Sequence, residues 1–347
     1  MASKKQVKIG NVLMGNGAPV TVQSMLSVPA HNFEGNVAQA KRLFEAGCEI
    51  IRVSVPDKET VPLIPLLKQA VPVPIVADIH FDYRLAIESV AAGVDKVRIN
   101  PGNIGGGSKV KQVADCCKAA KVPIRIGVNS GSLERDILAR YGAVTPEAIV
   151  ESGLYHISLL EKYDFDDIVL SLKSSDVNEA YKAYTLASQK CPYPLHLGIT
   201  EAGVERIGLV RSACGIGGLL LVGIGDTIRV SLTDDPVKEV QAGIEILKAV
   251  GLRNDGIKFI SCPTCGRTKI DLIGLANAAR ERLCDVKKDL TVAIMGCVVN
   301  GPGEASRADI GIAGGEGCGL IFKKGEKHRK VKEENLLDEL VKEIEKM

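Results

Sequence analysis

Eight short runs of β-branched and aliphatic residues recur along the first 231 positions, separated by stretches of helical periodicity. The runs cover 20–24, 50–55, 74–80, 96–100, 123–129, 167–173, 195–201 and 226–231, and the helical patterns include 38–47, 83–93 and 176–189. Strands that read as apolar on both faces and alternate with helices predict a parallel, fully covered sheet, and eight such units in series predict a TIM (β/α)8 barrel. An open doubly wound sheet calls for a Gly-x-Gly-x-x-Gly turn after the first strand. None is present, and Gly105-Gly106-Gly107 is an isolated cluster. A hairpin is expected over 7–14, with Asn16-Gly17 as its turn. Past Gly256 the pattern changes to strand, helix (268–283), strand (291–299), glycine-rich loops, strands near Ile310 and Leu320, and a charged final helix over 331–347. We expect a barrel over 1–254 and a smaller α+β domain over 255–347.

The second domain carries Cys262-Pro-Thr-Cys265, then Cys297 where a strand breaks into a Gly/Pro loop, then Glu304. Cys-x-x-Cys puts two thiolates on one turn, and three soft thiolates suit an iron-sulfur cluster or zinc. Structural zinc usually closes its shell with a fourth Cys or a His, but His328 lies in a charged run. Glu304 is the better fourth ligand, because a carboxylate on one iron of a 4Fe-4S cluster exchanges more readily than a thiolate. Cys318 and Cys284 are its rivals, and Cys284 reads as a small core residue. Cys48, Cys116, Cys117, Cys191 and Cys214 read as buried small residues.

Active sites of such barrels lie at the C-terminal ends of the strands. There the sequence places Arg52, Asp78 and His80, Arg98 and Asn100, Arg125 and Asn129, Lys173, Glu201, and Arg229 with Ser231. One arginine in a strand is ordinarily a paired structural residue. Four arginines and a lysine on five strands imply a small polyanionic ligand, since forked guanidinium donors match phosphate oxygens. Glu201 is the carboxylate we place at the chemistry. Its alternative is a salt bridge to a neighbouring arginine, and His80 is open between phosphate donor, proton relay and core residue.

The charge balance is even, 44 basic against 42 acidic residues, and aromatics make up 4% with no Trp, so nucleic acid is not expected as a partner. The most apolar stretch, 217–224, is too short to span a bilayer, and nothing at the N-terminus reads as an export signal. A cytoplasmic protein with reduced cysteines is expected.

Several strings resemble the 4-hydroxy-3-methylbut-2-enyl diphosphate synthase family in its shorter bacterial form: Ile51-Arg-Val-Ser, Val76-Ala-Asp-Ile-His-Phe-Asp-Tyr-Arg84, Arg98-Ile-Asn-Pro-Gly-Asn-Ile-Gly105, Ile124-Arg-Ile-Gly-Val-Asn129, His196-Leu-Gly-Ile-Thr-Glu-Ala-Gly203 and Cys297-Val-Val-Asn-Gly-Pro-Gly-Glu304. The resemblance implies reductive opening of 2-C-methyl-D-erythritol 2,4-cyclodiphosphate in the non-mevalonate isoprenoid pathway. It further implies a 4Fe-4S cluster on Cys262, Cys265, Cys297 and Glu304, with electrons arriving singly from a ferredoxin or flavodoxin. Arg52, His80, Arg98, Arg125, Asn129, Lys173, Arg229 and Ser231 would then hold the substrate, with Glu201 in proton transfer. The runner-up reading is a pterin- or phosphate-binding barrel transferase with a structural metal domain. Connectivity suggests a head-to-tail homodimer: a helix over 236–249 returns the chain ~20 Å along the barrel, and a six-residue linker reaches only about 20 Å back.

Overall fold

The computed structural model describes residues 3–100, 102–254, 256–284, 286–298, 303 and 305–347, and divides into two compact units, Met1–Leu252 and Arg253–Met347. The first opens on an antiparallel hairpin, β1 (Val7–Ile9) and β2 (Val12–Met14). Its turn is Gly10-Asn11, with Gly10 left-handed at φ +55°. Asn16-Gly17 instead makes the following turn, with φ of +51° and +81° and Ala18 N donating to Gly15 O at 3.1 Å. Asn-Gly marks a positive-φ turn without specifying which strands it joins.

Eight parallel strands follow: β3 (Thr21–Met25), β4 (Ile50–Ser54), β5 (Ile75–Asp78), β6 (Lys96–Ile99), β7 (Ile124–Asn129), β8 (Ile168–Lys173), β9 (His196–Leu197) and β10 (Thr227–Ile228). Their order is β8-β7-β6-β5-β4-β3-β10-β9, and isolated parallel bridges from Leu170 to Leu195 and from Ser174 to Ile199 bring the ring back to β8. The helices between them begin where capping chemistry lies. Asp176 accepts from Glu179 N at the start of Val177–Lys190, and Asp235 accepts from Val237 N at the start of Pro236–Ala249, which has proline in its first turn.

Outward strand residues such as Val97, Ile99, Ile124, Ile126, Leu170 and Leu172 are buried against the helices in one apolar core. The inward face corrects the expectation of strands apolar on both sides. Lys96 and Arg98, Arg125, Ser171, His196 and Thr227 alternate with those core residues and are also buried. The runs are therefore buried on both faces but apolar on only one, because successive side chains point to opposite sides of a strand. The floor of the barrel is apolar, where Ile50, Val76 and Val169 pack with Val7, Ile9 and Met14 of the hairpin.

In the second unit, β11 (Ile257–Ser261), β12 (Leu290–Met295), β13 (Ile310–Gly315), β14 (Cys318–Lys323) and β15 (Glu326–Lys332) form a sheet in sequence order. The first three strands are parallel and the last two antiparallel. The final helix is shorter than expected, Leu336–Glu345, because 326–332 pairs with β14 as an edge strand. A charged run suits that place, since charged side chains on an edge discourage pairing with another chain.

Cys48, Cys117 and Cys191 are buried and Cys116 is half-buried, whereas Cys214 and Cys284 are exposed, against expectation. The chain leaving helix Leu272–Arg282 buries Leu283 rather than Cys284, and the π-helical turn Ala213–Gly217 buries Gly215, Ile216 and Gly217. No helix among the described residues is long and apolar enough to cross a membrane.

Candidate active site

Asp78, the last residue of β5, organises the inside of the barrel. It accepts from Arg98 Nη1 at 3.0 Å and lies 3.7 Å from Arg52 Nε and 3.4 Å from His80 Nε2. Burial by itself would raise the Asp78 carboxyl; Arg52, His80 and Arg98 outweigh it and hold the group well below the usual carboxylate range. Arg98 Nη2 also donates to Gly127 O at 3.3 Å. A Cβ on Gly127 would stand 2.5 Å from Arg98 Nε, so the glycine vacates the space that the guanidinium fills. Arg52 has a softer neighbour, Met25 Sδ, 3.0 Å from its Nε.

The second carboxylate is Glu239, on helix Pro236–Ala249. It lies 3.4 Å from Arg229 Nη2 and accepts from Ser24 Oγ and Leu232 N. These two acids face four guanidiniums. Arg98 Nε, Arg229 Nε and all three side-chain nitrogens of Arg125 are buried with no hydrogen-bond partner among the described residues.

The structure gathers Arg52, Asp78, His80, Arg98, Arg125, Lys173 and Arg229 into one interacting set, but not at one level. Arg125 is the second residue of β7 and wholly buried, not at the strand's C-terminal end as expected. Burial, then the nearby Arg52 and Arg98 charges, push its pKa down. Lys173, half-buried at the end of β8, is pulled down to about 6, first by burial and then by Arg98, Arg52 and Arg125. Asn129 and Ser231 are half-buried on the same side, and Asn100 Oδ1 accepts from Gly102 N at 3.1 Å, bracing the loop after β6. Glu201 is exposed in the loop after β9, with its backbone left-handed at φ +52°. Non-glycine residues held there store strain of about 1–3 kcal/mol.

Two inward residues were not singled out from the sequence. Lys96 is fully buried with its Nζ unpartnered, and His196 is buried with Nδ1 unpartnered, among the described residues. Burial comes first in lowering both pKa values, followed by Arg125 in each case. The alternation Lys96-Val97-Arg98-Ile99-Asn100 carries the signal that could have found Lys96, since period two puts it on the Arg98 side.

In the second unit, β11 and β12 deliver two of the three cysteines to adjacent strand ends. Cys262 Sγ accepts from Gly296 N at 3.2 Å, and Gly296 O accepts from Lys269 N at 3.0 Å, tying the Cys297 arm to the Cys-x-x-Cys loop. Cys265 N donates to Thr268 Oγ1 at 3.2 Å. The Cys265 thiol is lowered first by the main-chain N–H of Arg267 and then by its side chain. No three His, Cys, Asp or Glu side chains among the described residues are gathered around one point. Glu304 lies outside the described residues. Cys318 begins β14, two strands from β12.

Known proteins match this arrangement in both parts. The GcpE TIM-barrel domain model matches residues 4–244 and the GcpE protein C-terminal domain model residues 258–346. A protein of Caldanaerobacter subterraneus subsp. tengcongensis named 4-hydroxy-3-methylbut-2-en-1-yl diphosphate synthase (flavodoxin) is 59% identical over 343 residues, covering 99% of this chain and 97% of its own length. One of the same name from Clostridium perfringens is 56% identical over 341 residues, covering 98% of each. Among solved structures, dihydropteroate synthase of Yersinia pestis superposes with a TM-score of 0.53 at 15% identity, over 72% of this chain and 100% of its own. The 3-dehydroquinate dehydratase of Geobacillus kaustophilus gives 0.51 at 13%, over 72% and 99%. Those two likenesses establish the barrel fold alone. With both family models matched in order along almost the whole chain, and relatives of one name at more than half identity, this chain belongs to the GcpE family.

Proposed function

We propose that the chain converts 2-C-methyl-D-erythritol 2,4-cyclodiphosphate into 4-hydroxy-3-methylbut-2-enyl diphosphate, the product named for its relatives. The observation that carries this reading is the guanidinium of Arg125, unpartnered among the described residues, beside Arg52, Arg98 and Arg229, with Asp78 and Glu239 as the acids facing them. A cyclic diphosphate brings acceptor oxygens to those donors, each charge-assisted bond contributing about 1.5–3 kcal/mol. Asp78 positions Arg52 and Arg98 rather than meeting the anion. Asn100, Asn129, Ser231 and His80 complete the polar wall, and Glu201 moves the proton that leaves or joins substrate oxygen. The family name and the two-domain pairing favour this over a barrel transferase with a structural metal.

Cys262, Cys265 and Cys297, with Glu304 as fourth ligand, would hold a 4Fe-4S cluster. The donor set fits: soft thiolates follow neighbouring parallel strands, an N–H is aimed at Cys262 Sγ, and the Cys265 thiol is already lowered. When bound, the cluster supplies one-electron reduction, and flavodoxin, printed in the relatives' names, is the proposed donor. A cytoplasmic, head-to-tail homodimer, each cluster domain serving its partner's barrel, completes the proposal. Exchange of subunits between Glu201→Gln and Cys297→Ala proteins tests it, because only sites shared between chains regain activity.

The deciding experiment is anaerobic reconstitution and turnover with a chemical reductant. Stoichiometric iron and sulfide with product formation support the proposal; a colourless zinc protein without turnover overturns it. Cys297→Ser should abolish cluster retention, whereas Cys318→Ser should leave it intact.

Lys173 gives a separate prediction. With its pKa near 6, the amine is mostly neutral at pH 8 in the free barrel. A diphosphate beside it favours the charged form, so binding should take up a proton, and affinity should fall by up to about tenfold per pH unit above 6. Calorimetry at pH 8 in buffers of different ionisation enthalpy measures the uptake. Unchanged uptake in Lys173→Met would assign the proton elsewhere.

A further inference from the structure

β15 carries three lysines that the chemistry above does not use. Residues opposite one another on paired strands share a sheet face. Lys332 opposes Cys318, Lys330 opposes Leu320 and Lys327 opposes Phe322. Leu320 and Phe322 pack with Ala293, Met295 and Cys262, whereas Val331 packs on the other face with Leu336, Leu340 and Ile344. The lysines therefore form a row on the face against which Cys262 packs.

All three are exposed. Lys327 and Lys330 have no ion-pair partner among the described residues, and Lys332 has only Glu334, at 3.8 Å, with both side chains mostly in solvent. Of the neighbouring cations, Lys323 is paired with Glu343 and Arg329 with Glu339. Strand directions put Lys332 at the sheet end where β11 leads into Cys262 and β12 into Cys297. Three strand spacings, about 14 Å, separate β15 from β12.

Edge lysines commonly prevent edge-to-edge pairing. That role accounts for charge at the edge but not for the gathering of three lysines on the one face against which Cys262 packs. We propose that the Lys327–Lys330–Lys332 row is the docking surface for a small acidic one-electron carrier protein, an inference that rests on the redox reading above. At each encounter the carrier loses one electron and the enzyme gains one, two encounters supplying the pair that the reaction consumes. Opposite charge at such a surface acts chiefly on the rate of encounter and its salt dependence.

The test is the charge reversal K327E/K330E/K332E in the cluster-loaded enzyme, which keeps a charged edge while inverting its sign. With reduced flavodoxin as the acidic carrier at low ionic strength, kcat/KM should fall by about tenfold or more and lose its salt dependence. Turnover driven by reduced methyl viologen should stay within about twofold, because a small reductant needs no docking surface. K327Q/K330Q/K332Q should fall between wild type and the reversal. A carrier-dependent kcat/KM unchanged by the reversal would overturn the proposal. So would equal losses with both reductants, which would place the lysines in the domain's own structure. Absence of turnover by the wild-type enzyme with methyl viologen would instead reject the redox reading.

Discussion

Glu201→Gly should abolish turnover while leaving the barrel as stable as before or slightly more so. The backbone at Glu201 is left-handed at φ +52°, and the side chain is exposed. Relief of a left-handed non-glycine residue is worth about 1–2 kcal/mol, less the ~0.5–1 kcal/mol by which glycine favours the unfolded chain, for a net gain of up to about 1.5 kcal/mol. Glu201→Gln retains both the strain and the shape but loses the exchangeable proton, so turnover should fall by about 10²–10⁴-fold with stability unchanged. Anaerobic turnover and denaturant unfolding of the two variants check both halves. A marked loss of stability in Glu201→Gly would reveal structural contacts of the carboxylate, and near-normal turnover in Glu201→Gln would remove it from proton transfer.

For Asp78→Ala, the expected result is a barrel destabilised by about 3–5 kcal/mol, because Arg52 and Arg98 are left buried without their shared counter-ion. Substrate affinity should fall too, since both guanidiniums lose the group that aims them. The pH dependence has a defined sign. The folded pKa of Asp78 lies below its ordinary 3.8. Its contribution is therefore fully present above that ordinary value and is lost as pH falls through the lower folded one. Unfolding curves of wild type and Asp78→Ala should converge only in strong acid. A difference under about 1 kcal/mol at neutral pH would show that water or another acid already screens the arginines.

Several features of the fold and site were legible because they depend on local pattern. All eight strands start within one residue of the expected runs, since the outward face of each selects β-branched and aliphatic residues, but β5, β9 and β10 end two to four residues early. The helical patterns expected over 176–189 and 236–249 begin within one residue of the observed helices, whose first turns Asp176 and Asp235 cap. Local pattern failed where a choice between partners decided the outcome. Asn16-Gly17 makes a turn, but not that of the first hairpin, and 326–332 became a strand because β14 offered it an edge.

The sequence by itself determined the βα order, the two-part organisation and the residue types that each part carries, because periodicity and spacing are properties of the chain. Only the tertiary structure decided that the barrel is lined by charge. Closing the ring turns alternate residues of eight distant segments toward one axis. That closure made Asp78 the common partner of Arg52, Arg98 and His80, buried Arg125, Lys96 and His196 on the same inward face, and pulled Lys173 down to about 6. These are effects of desolvation and of charges brought within a few ångströms of one another, and neither quantity exists until the strands are side by side.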